Sequence, residues 1–89
     1  MITAPITIIN KLGLHARAAA KLSALAGSFT SEIKIEKGGR SVDCKSIMAV
    51  MMLAASKGTE VILHIDGADE TDALDALTAL INNRFDEPE

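Results

Sequence analysis

The order in which two hydrophobic periods alternate along the chain limits its fold more than any other feature. Apolar residues recur at every second position, as in half-buried strands, in four short segments, and at helical spacing in three others. The strand-like segments are residues 2–9, 32–37, 40–43 and 61–65, and the helix-like segments are residues 16–26, 46–53 and 69–81. The pattern therefore predicts the element order β-α-β-β-α-β-α.

Each predicted strand has a single apolar face, which is typical of an antiparallel sheet that is covered on one side only. The first helix connects two strands, and a later strand is free to lie between them, which is a split βαβ arrangement. We therefore predict an α+β fold with helices on one side of an antiparallel sheet. A ferredoxin-like domain with an additional helix fits the same pattern.

A length of 89 residues gives one domain, residues 1–89, without room for a deep pocket, so we expect any chemistry at the surface. The acidic tail, residues 85–89, is expected to be frayed. No signal peptide is visible, and the longest apolar run, residues 47–55, is far shorter than the roughly 20 residues of a membrane span. The single cysteine, Cys44, excludes an internal disulfide. These features predict a cytoplasmic protein without membrane insertion.

Composition disfavours two further classes of function. The chain has no Trp or Tyr and two Phe, so binding of nucleic acid through stacked aromatic residues is not expected. The two histidines lie far apart in sequence and show no metal-ligand spacing with each other or with Cys44, so we expect neither a metal nor a cofactor. Residues 1–45 carry seven basic and three acidic residues, which is suited to an anionic ligand or an acidic partner.

His15 is the strongest candidate for chemistry, because it directly precedes the first predicted helix. Backbone N–H groups at a helix start are unpaired, and the helix dipole is positive there, so an anion on His15 would meet hydrogen-bond donors. Arg17 can offer a planar guanidinium to phosphate oxygens. The pair is suited to accepting a phosphoryl group, although the tripeptide alone fits a solvated capping histidine as well. His64 is predicted to be an exposed sheet residue without a special role.

Ser46 precedes the second predicted helix, where its expected role is that of an N-cap. A phosphate on Ser46 would be tolerated by the helix N-terminus and would add about two negative charges to the surface. The apolar stripe that follows is expected to lie mostly in the core, while its methionines also suit an adaptable docking surface. The stripe consists of Met48, Met51, Met52 and Leu53.

Two sequence runs resemble the signatures of a known family. Residues 10–17 read NKLGLHAR, and residues 45–53 read KSIMAVMML with Lys57 and Gly58 after them. Both runs resemble the HPr family, the phosphocarrier proteins of the bacterial phosphoenolpyruvate-dependent phosphotransferase system. Residues 67–77 resemble the last helix of that family. The resemblance covers nearly the whole chain in the correct order.

The resemblance implies an open-faced β-sandwich of four antiparallel strands with three helices on one side. It implies that His15 accepts a phosphoryl group through Nδ1 from phospho-enzyme I and passes it to a IIA protein or domain, while Arg17 stabilises the group in transit. Ser46 would be the site for HPr kinase/phosphorylase. The candidates for partner docking are Leu14, Met48 and Met51. Such a protein carries a phosphoryl group and is not by itself a turnover enzyme.

Two positions depart from the family pattern. Ala18 stands where the family usually has proline, and Ala49 replaces a commoner glycine. Proline near a helix start fixes φ without the loss of a hydrogen bond, so its absence is expected to cost about 0.4–1 kcal/mol through the freer unfolded chain. We expect the chemistry to be retained at a slightly less rigid site.

Alternatives within and outside the family stay open. The serine segment resembles carriers that are regulated by HPr kinase, whereas residues 10–12 and 81–87 resemble NPr, the nitrogen-related paralogue with a mainly regulatory role. Outside the family, a small interaction module that is not phosphorylated would keep its binding after His15→Ala. A free-standing enzyme is disfavoured because no base–nucleophile pair and no cleft can be recognised. We expect a monomer that forms transient complexes.

Overall fold

The computed structural model describes residues 1–88. Its strands are β1 (Ile2–Thr7), β2 (Glu32–Lys37), β3 (Arg40–Asp43) and β4 (Glu60–Asp66), and its helices are α1 (Ala16–Gly27), α2 (Ile47–Met52) and α3 (Glu70–Asn82). A short turn, Arg84–Asp86, follows α3. The order of the elements agrees with the one that the hydrophobic periods predict. None of the helices in residues 1–88 is both long and apolar enough to cross a membrane.

The four strands form one antiparallel sheet in the order β1-β4-β2-β3. Strand β4 lies in the interior, where Ile65 pairs with Ile2 of β1 on one side and with Ile33 of β2 on the other. Helix α1 therefore connects two strands that flank β4, which is a split βαβ arrangement. With three helices on the apolar face of this sheet, the predicted open-faced β-sandwich is confirmed.

The apolar face of the sheet and the inner sides of the helices share one core. Val61, Leu63 and Ile65 point inward from β4, and Ile33 and Ile35 point inward from β2. The helices add buried residues at four-residue spacing, namely Ala18, Leu22 and Ala26 in α1 and Ala73, Leu77 and Ile81 in α3. This packing fixes the N-terminus of α1 relative to the sheet.

Helix α2 is less buried than its apolar sequence predicts. Only Val50 within the helix and Leu53 just after it are buried. The exposed side chains are Ile47, Met48, Met51 and Met52, which we name the α2 surface. The expectation that the methionine stripe lies mostly in the core is therefore wrong. A helix of six residues has room for one short inward ridge, and positions 50 and 53 occupy it.

The C-terminal residues fold back on the domain, contrary to the expected frayed tail. Phe85 is fully buried, and Lys21 Nζ donates a hydrogen bond of 2.9 Å to its carbonyl oxygen. Arg84, Phe85 and Asp86 all have left-handed backbone conformations, with φ between 55° and 63°. The expected fraying rested on the acidic charges of this segment, but the aromatic ring of Phe85 among them fills a core position. Glu89 lies outside the described residues.

Candidate functional site

His15 occupies the N-cap position of α1. Its backbone is extended, with φ −71° and ψ 178°, and its side chain makes no capping hydrogen bond. The first helical bond runs from Ala19 N to His15 O at 2.8 Å, so the N–H groups of residues 16–18 have no helical partner and donate to no other group within the described residues 1–88. The imidazole is 28% exposed and is therefore accessible to a partner.

The loop before His15 is fixed by a glycine and an asparagine. Gly13 has φ +66° and lies against the backbone of residues 55–56, so that a Cβ there would come within 2.7 Å of Ser56 Cα. Buried Asn10 donates from Nδ2 to Gly13 O at 2.8 Å, and Leu14 N donates to Ala55 O at 2.8 Å. These contacts determine where the chain enters α1 and therefore where His15 lies.

A carboxylate from the C-terminal segment holds the imidazole. Glu87 Oε2 lies 2.5 Å from His15 Nε2, and Glu87 Oε1 accepts a hydrogen bond of 3.1 Å from Asn10 Nδ2. Burial opposes the ionised form of Glu87, but the hydrogen bonds from His15 and Asn10, with the charges of His15 and Arg17, outweigh it and lower the pKa of this carboxyl group. Within residues 1–88, His15 Nδ1 has no hydrogen-bond partner.

His15 lies in a shallow depression of about 340 Å³. The depression is lined by Lys11, Leu12, His15, Arg17, Glu87 and Pro88. Arg17 is exposed, and its guanidinium forms no ion pair or hydrogen bond within the described chain. The depression therefore brings together the His15 imidazole and the Arg17 guanidinium at the start of α1, and this combination suits a tetrahedral anion.

The other predicted site residues lie on or near α2. Ser46 has the predicted capping role, because its Oγ accepts a hydrogen bond of 3.3 Å from Ala49 N. Met48 and Met51 are 70% and 40% exposed, so both are available to a partner. Leu14 is only 4% exposed, so the expectation that it lies on the docking surface is wrong. The bond from its N–H to Ala55 O fixes the loop with this side chain in the core.

His64 and Cys44 lie outside the candidate site. His64 is on the uncovered face of the sheet, where Nε2 is 2.8 Å from Glu36 Oε1 and Nδ1 is 3.4 Å from Thr3 Oγ1. Cys44 is buried, and burial raises the pKa of its thiol to about 12, which argues against a reactive thiolate. No cluster of metal-ligating side chains occurs in residues 1–88.

Two residues of the site, Asn10 and Glu87, were not predicted from the sequence. Asn10 has a local signal, since an asparagine before a turn with glycine often bonds to the turn backbone. Glu87 has no such signal, because it is 72 residues from His15 and belongs to a segment with the composition of a loose tail. Only the folding back of Phe85 brings the carboxylate to the imidazole.

The family model described as the PTS HPr component phosphorylation site matches residues 2–83. The chain belongs to the HPr family. It is 65% identical over 83 residues to the phosphocarrier protein HPr of Cupriavidus necator, with 93% of each chain covered. It is 61% identical over 85 residues to the HPr of Pseudomonas aeruginosa, with 94% of each covered.

A further relative and a solved structure extend this comparison. The phosphocarrier protein NPr of Shewanella violacea is 45% identical over 82 residues, covering 92% of this chain and 90% of its own length. The crystal structure of HPr-C-His from Thermoanaerobacter tengcongensis superposes with a TM-score of 0.96 at 44% identity and covers all of both chains. The chain is thus an HPr-type phosphocarrier in sequence and in fold.

Proposed function

We propose that His15 is the residue that carries the phosphoryl group, which it receives from phospho-enzyme I and passes to a IIA protein or domain. The observation that supports this proposal is the position of His15 at the start of α1, where Nδ1 has no hydrogen-bond partner within residues 1–88 and the Arg17 guanidinium lines the same depression. Membership of the HPr family supports the same donor and acceptor classes. The chain would act as a carrier and would not turn over a substrate by itself.

In the proposed transfer, the lone pair on Nδ1 attacks the phosphorus atom of the donor. The bond between phosphorus and the donor atom of phospho-enzyme I breaks, and its electron pair remains on that atom. Arg17 and the backbone N–H groups of residues 16 and 17 would hold the non-bridging oxygens, over which the negative charge of the transition state is spread. The same groups would bind the phosphoryl group without enclosing it, so that an acceptor could remove it.

We propose that partner proteins dock on the α2 surface, where Met48 and Met51 would contact them. Methionine side chains adapt to different partner shapes, as a carrier with both a donor and an acceptor requires. We propose Ser46 as the regulatory position, a substrate for a kinase of the HPr kinase/phosphorylase class. A phosphate on Ser46 would place about two negative charges next to Met48 and weaken docking of enzyme I.

A role in a nitrogen-type relay is the second candidate function. The support for it is the 45% identity to a relative named NPr, whereas the relatives named HPr are 65% and 61% identical. The higher identities favour the HPr branch. Both branches would use His15 in the same way and differ in the acceptor.

The test is the intact mass of the protein after incubation with phosphoenolpyruvate and enzyme I, with sugar-type and nitrogen-type enzymes I in separate reactions. We expect the mass of one phosphoryl group to be gained and then lost in mild acid. His15→Ala should abolish the gain, and the matched control His64→Ala should keep it. A gain that survives in His15→Ala, or no gain with either donor, would overturn the proposal.

A further inference from the structure

We infer that Glu87 is a positioning residue for phosphoryl transfer at His15, an inference that rests on the function proposed above. The carboxylate contacts Nε2, the ring nitrogen that is not assigned to carry the phosphoryl group. It would keep the proton on Nε2, leave the lone pair on Nδ1, and balance the positive charge that forms on the ring during transfer.

Contacts on both sides hold Glu87 in place. Its Oε1 accepts from the amide of Asn10, which is buried and also holds the loop before α1. On its N-terminal side, Phe85 anchors the segment in the core, and Lys21 bonds to the Phe85 carbonyl oxygen. The Glu87 side chain is 9% exposed. A carboxylate that is held this firmly can fix the orientation of the ring that it contacts.

The contact at Nε2 defines the form of the ring that attacks. A neutral imidazole carries one proton, and the nitrogen that donates to a carboxylate is the one that bears it. With the proton on Nε2, the Nδ1–phosphorus bond can form while the donor atom of phospho-enzyme I recovers its electron pair, and His15 does not have to lose a proton. The ring then carries a positive charge beside the Glu87 carboxylate. The reverse sequence releases the group to the acceptor.

A carboxylate near the site could instead compete with the phosphoryl group for the positively charged groups around His15 and so slow the transfer. The geometry argues against this alternative, because Glu87 contacts Nε2, whereas Nδ1 has no partner within residues 1–88. The positive charge of Arg17 in the same depression also offsets repulsion between the carboxylate and an incoming phosphoryl group. The two roles predict opposite effects when the charge of Glu87 is removed.

The first experiment records the ring nitrogens of His15 by ¹⁵N NMR in mildly alkaline buffer without a phosphoryl donor. We expect the wild type to show the form protonated on Nε2 and Glu87→Ala to show the mixture of tautomers of a free imidazole. Glu60→Gln is the matched control, because Glu60 is exposed and lies on β4 without a side-chain bond in the described chain. Thermal unfolding of each variant separates loss of positioning from loss of fold.

The second experiment measures transfer from phospho-enzyme I to Glu87→Gln, which removes the charge and keeps an acceptor oxygen. We expect the transfer rate at saturating carrier to fall about tenfold, which corresponds to a charge interaction of one pK unit. The carrier concentration that gives half of the maximal rate should not change. Glu60→Gln should transfer at the wild-type rate. A faster Glu87→Gln would identify Glu87 as a competitor and overturn the inference, as would unchanged tautomers together with unchanged rates.

The two experiments also separate this inference from the proposed function. If His15 gains a phosphoryl group but neither the tautomers nor the rates respond to Glu87 substitution, the positioning role fails and the carrier role stands. If His15 gains no phosphoryl group in the wild type, the carrier role itself fails.

Discussion

Asp69 accepts hydrogen bonds from Ser31, from both the backbone N–H at 2.9 Å and the hydroxyl group, and it also accepts one from Thr30 N at 2.8 Å. Although Asp69 occupies the N-cap position of α3, its side chain does not cap the helix. It instead ties the start of α3 to the connection between α1 and β2. The bonds from Ser31 and Thr30 lower the pKa of this carboxyl group to about 2.

The lowered pKa of Asp69 predicts how stability depends on pH. Because the folded pKa lies below the ordinary value of 3.8, the contribution is fully present above that value and is lost as the pH falls towards 2. Asp69→Asn should therefore unfold at a lower temperature than the wild type near neutral pH, and the difference should shrink as the pH falls below 3.8. Asp75→Asn, at an exposed position of α3, is the control. A difference that stays constant down to pH 2 would contradict this reading.

Gly13 is predicted to be indispensable for the loop that carries His15. Gly13→Ala would combine a left-handed φ with overlap against residues 55–56, at a cost of about 2–4 kcal/mol in the free energy of unfolding. Gly38→Ala is the matched control, since Gly38 has φ +58° but no atom within 4 Å of the added Cβ, and it should cost only about 1–2 kcal/mol. Denaturant unfolding measures the loss of stability in both variants. Equal losses would contradict the close approach of Gly13 to the backbone of residues 55–56.

Ala54 is predicted to be a strained position. It has φ 54° and is exposed, and Lys37 Nζ donates to the carbonyl oxygens of Leu53 and Ala54 at 3.1 Å each. Ala54→Gly relieves the left-handed strain at the cost of a freer unfolded chain, so we expect a net gain of roughly 0.5–1 kcal/mol. Ala24→Gly, in the middle of α1, should instead lose about 1 kcal/mol. Thermal unfolding in which Ala54→Gly is less stable than the wild type would disprove the strain.

The periodic patterns of the sequence predicted most of the fold. The buried stripe of α3 and the alternation of β4 arise from local spacing, which a single sequence displays directly. The position of His15 at the start of α1 was predictable for the same reason. The mistakes concern contacts between distant segments. Leu14 is buried because its loop bonds to Ala55, and Glu87 reaches His15 only because Phe85 has a place in the core.

Cys44 is predicted to be chemically inert in the folded protein. Burial, with a smaller contribution from Asp43, raises the pKa of its thiol from 9.0 to about 12, so the reactive thiolate is scarce. Iodoacetamide near pH 8 should leave the folded chain unmodified and alkylate it in denaturant.

The raised pKa of the Cys44 thiol also predicts that the stability of the protein falls as the pH rises above about 9, since the thiol of the unfolded chain ionises first. Rapid alkylation under native conditions would contradict the burial of Cys44.

Ala18 allows a direct test of the departure from the family pattern. The first helical donor of α1 is Ala19 N, so proline at position 18 removes no helical hydrogen bond. We expect Ala18→Pro to raise the free energy of unfolding by about 0.4–1 kcal/mol, because proline restricts the unfolded chain. Ala20→Pro, one turn into the helix, removes a helical bond and should cost about 3 kcal/mol or more.

Thermal unfolding of the two proline variants and phosphoryl transfer by Ala18→Pro are the measurements. Ala18 is fully buried, so the test also asks whether the core accommodates the proline ring. A more stable variant with an unchanged transfer rate would show that the family's proline acts through the unfolded chain and is dispensable for chemistry. A less stable variant would mean that packing around position 18 has adapted to alanine, because overpacking a buried position costs about 1–3 kcal/mol and outweighs the entropic gain.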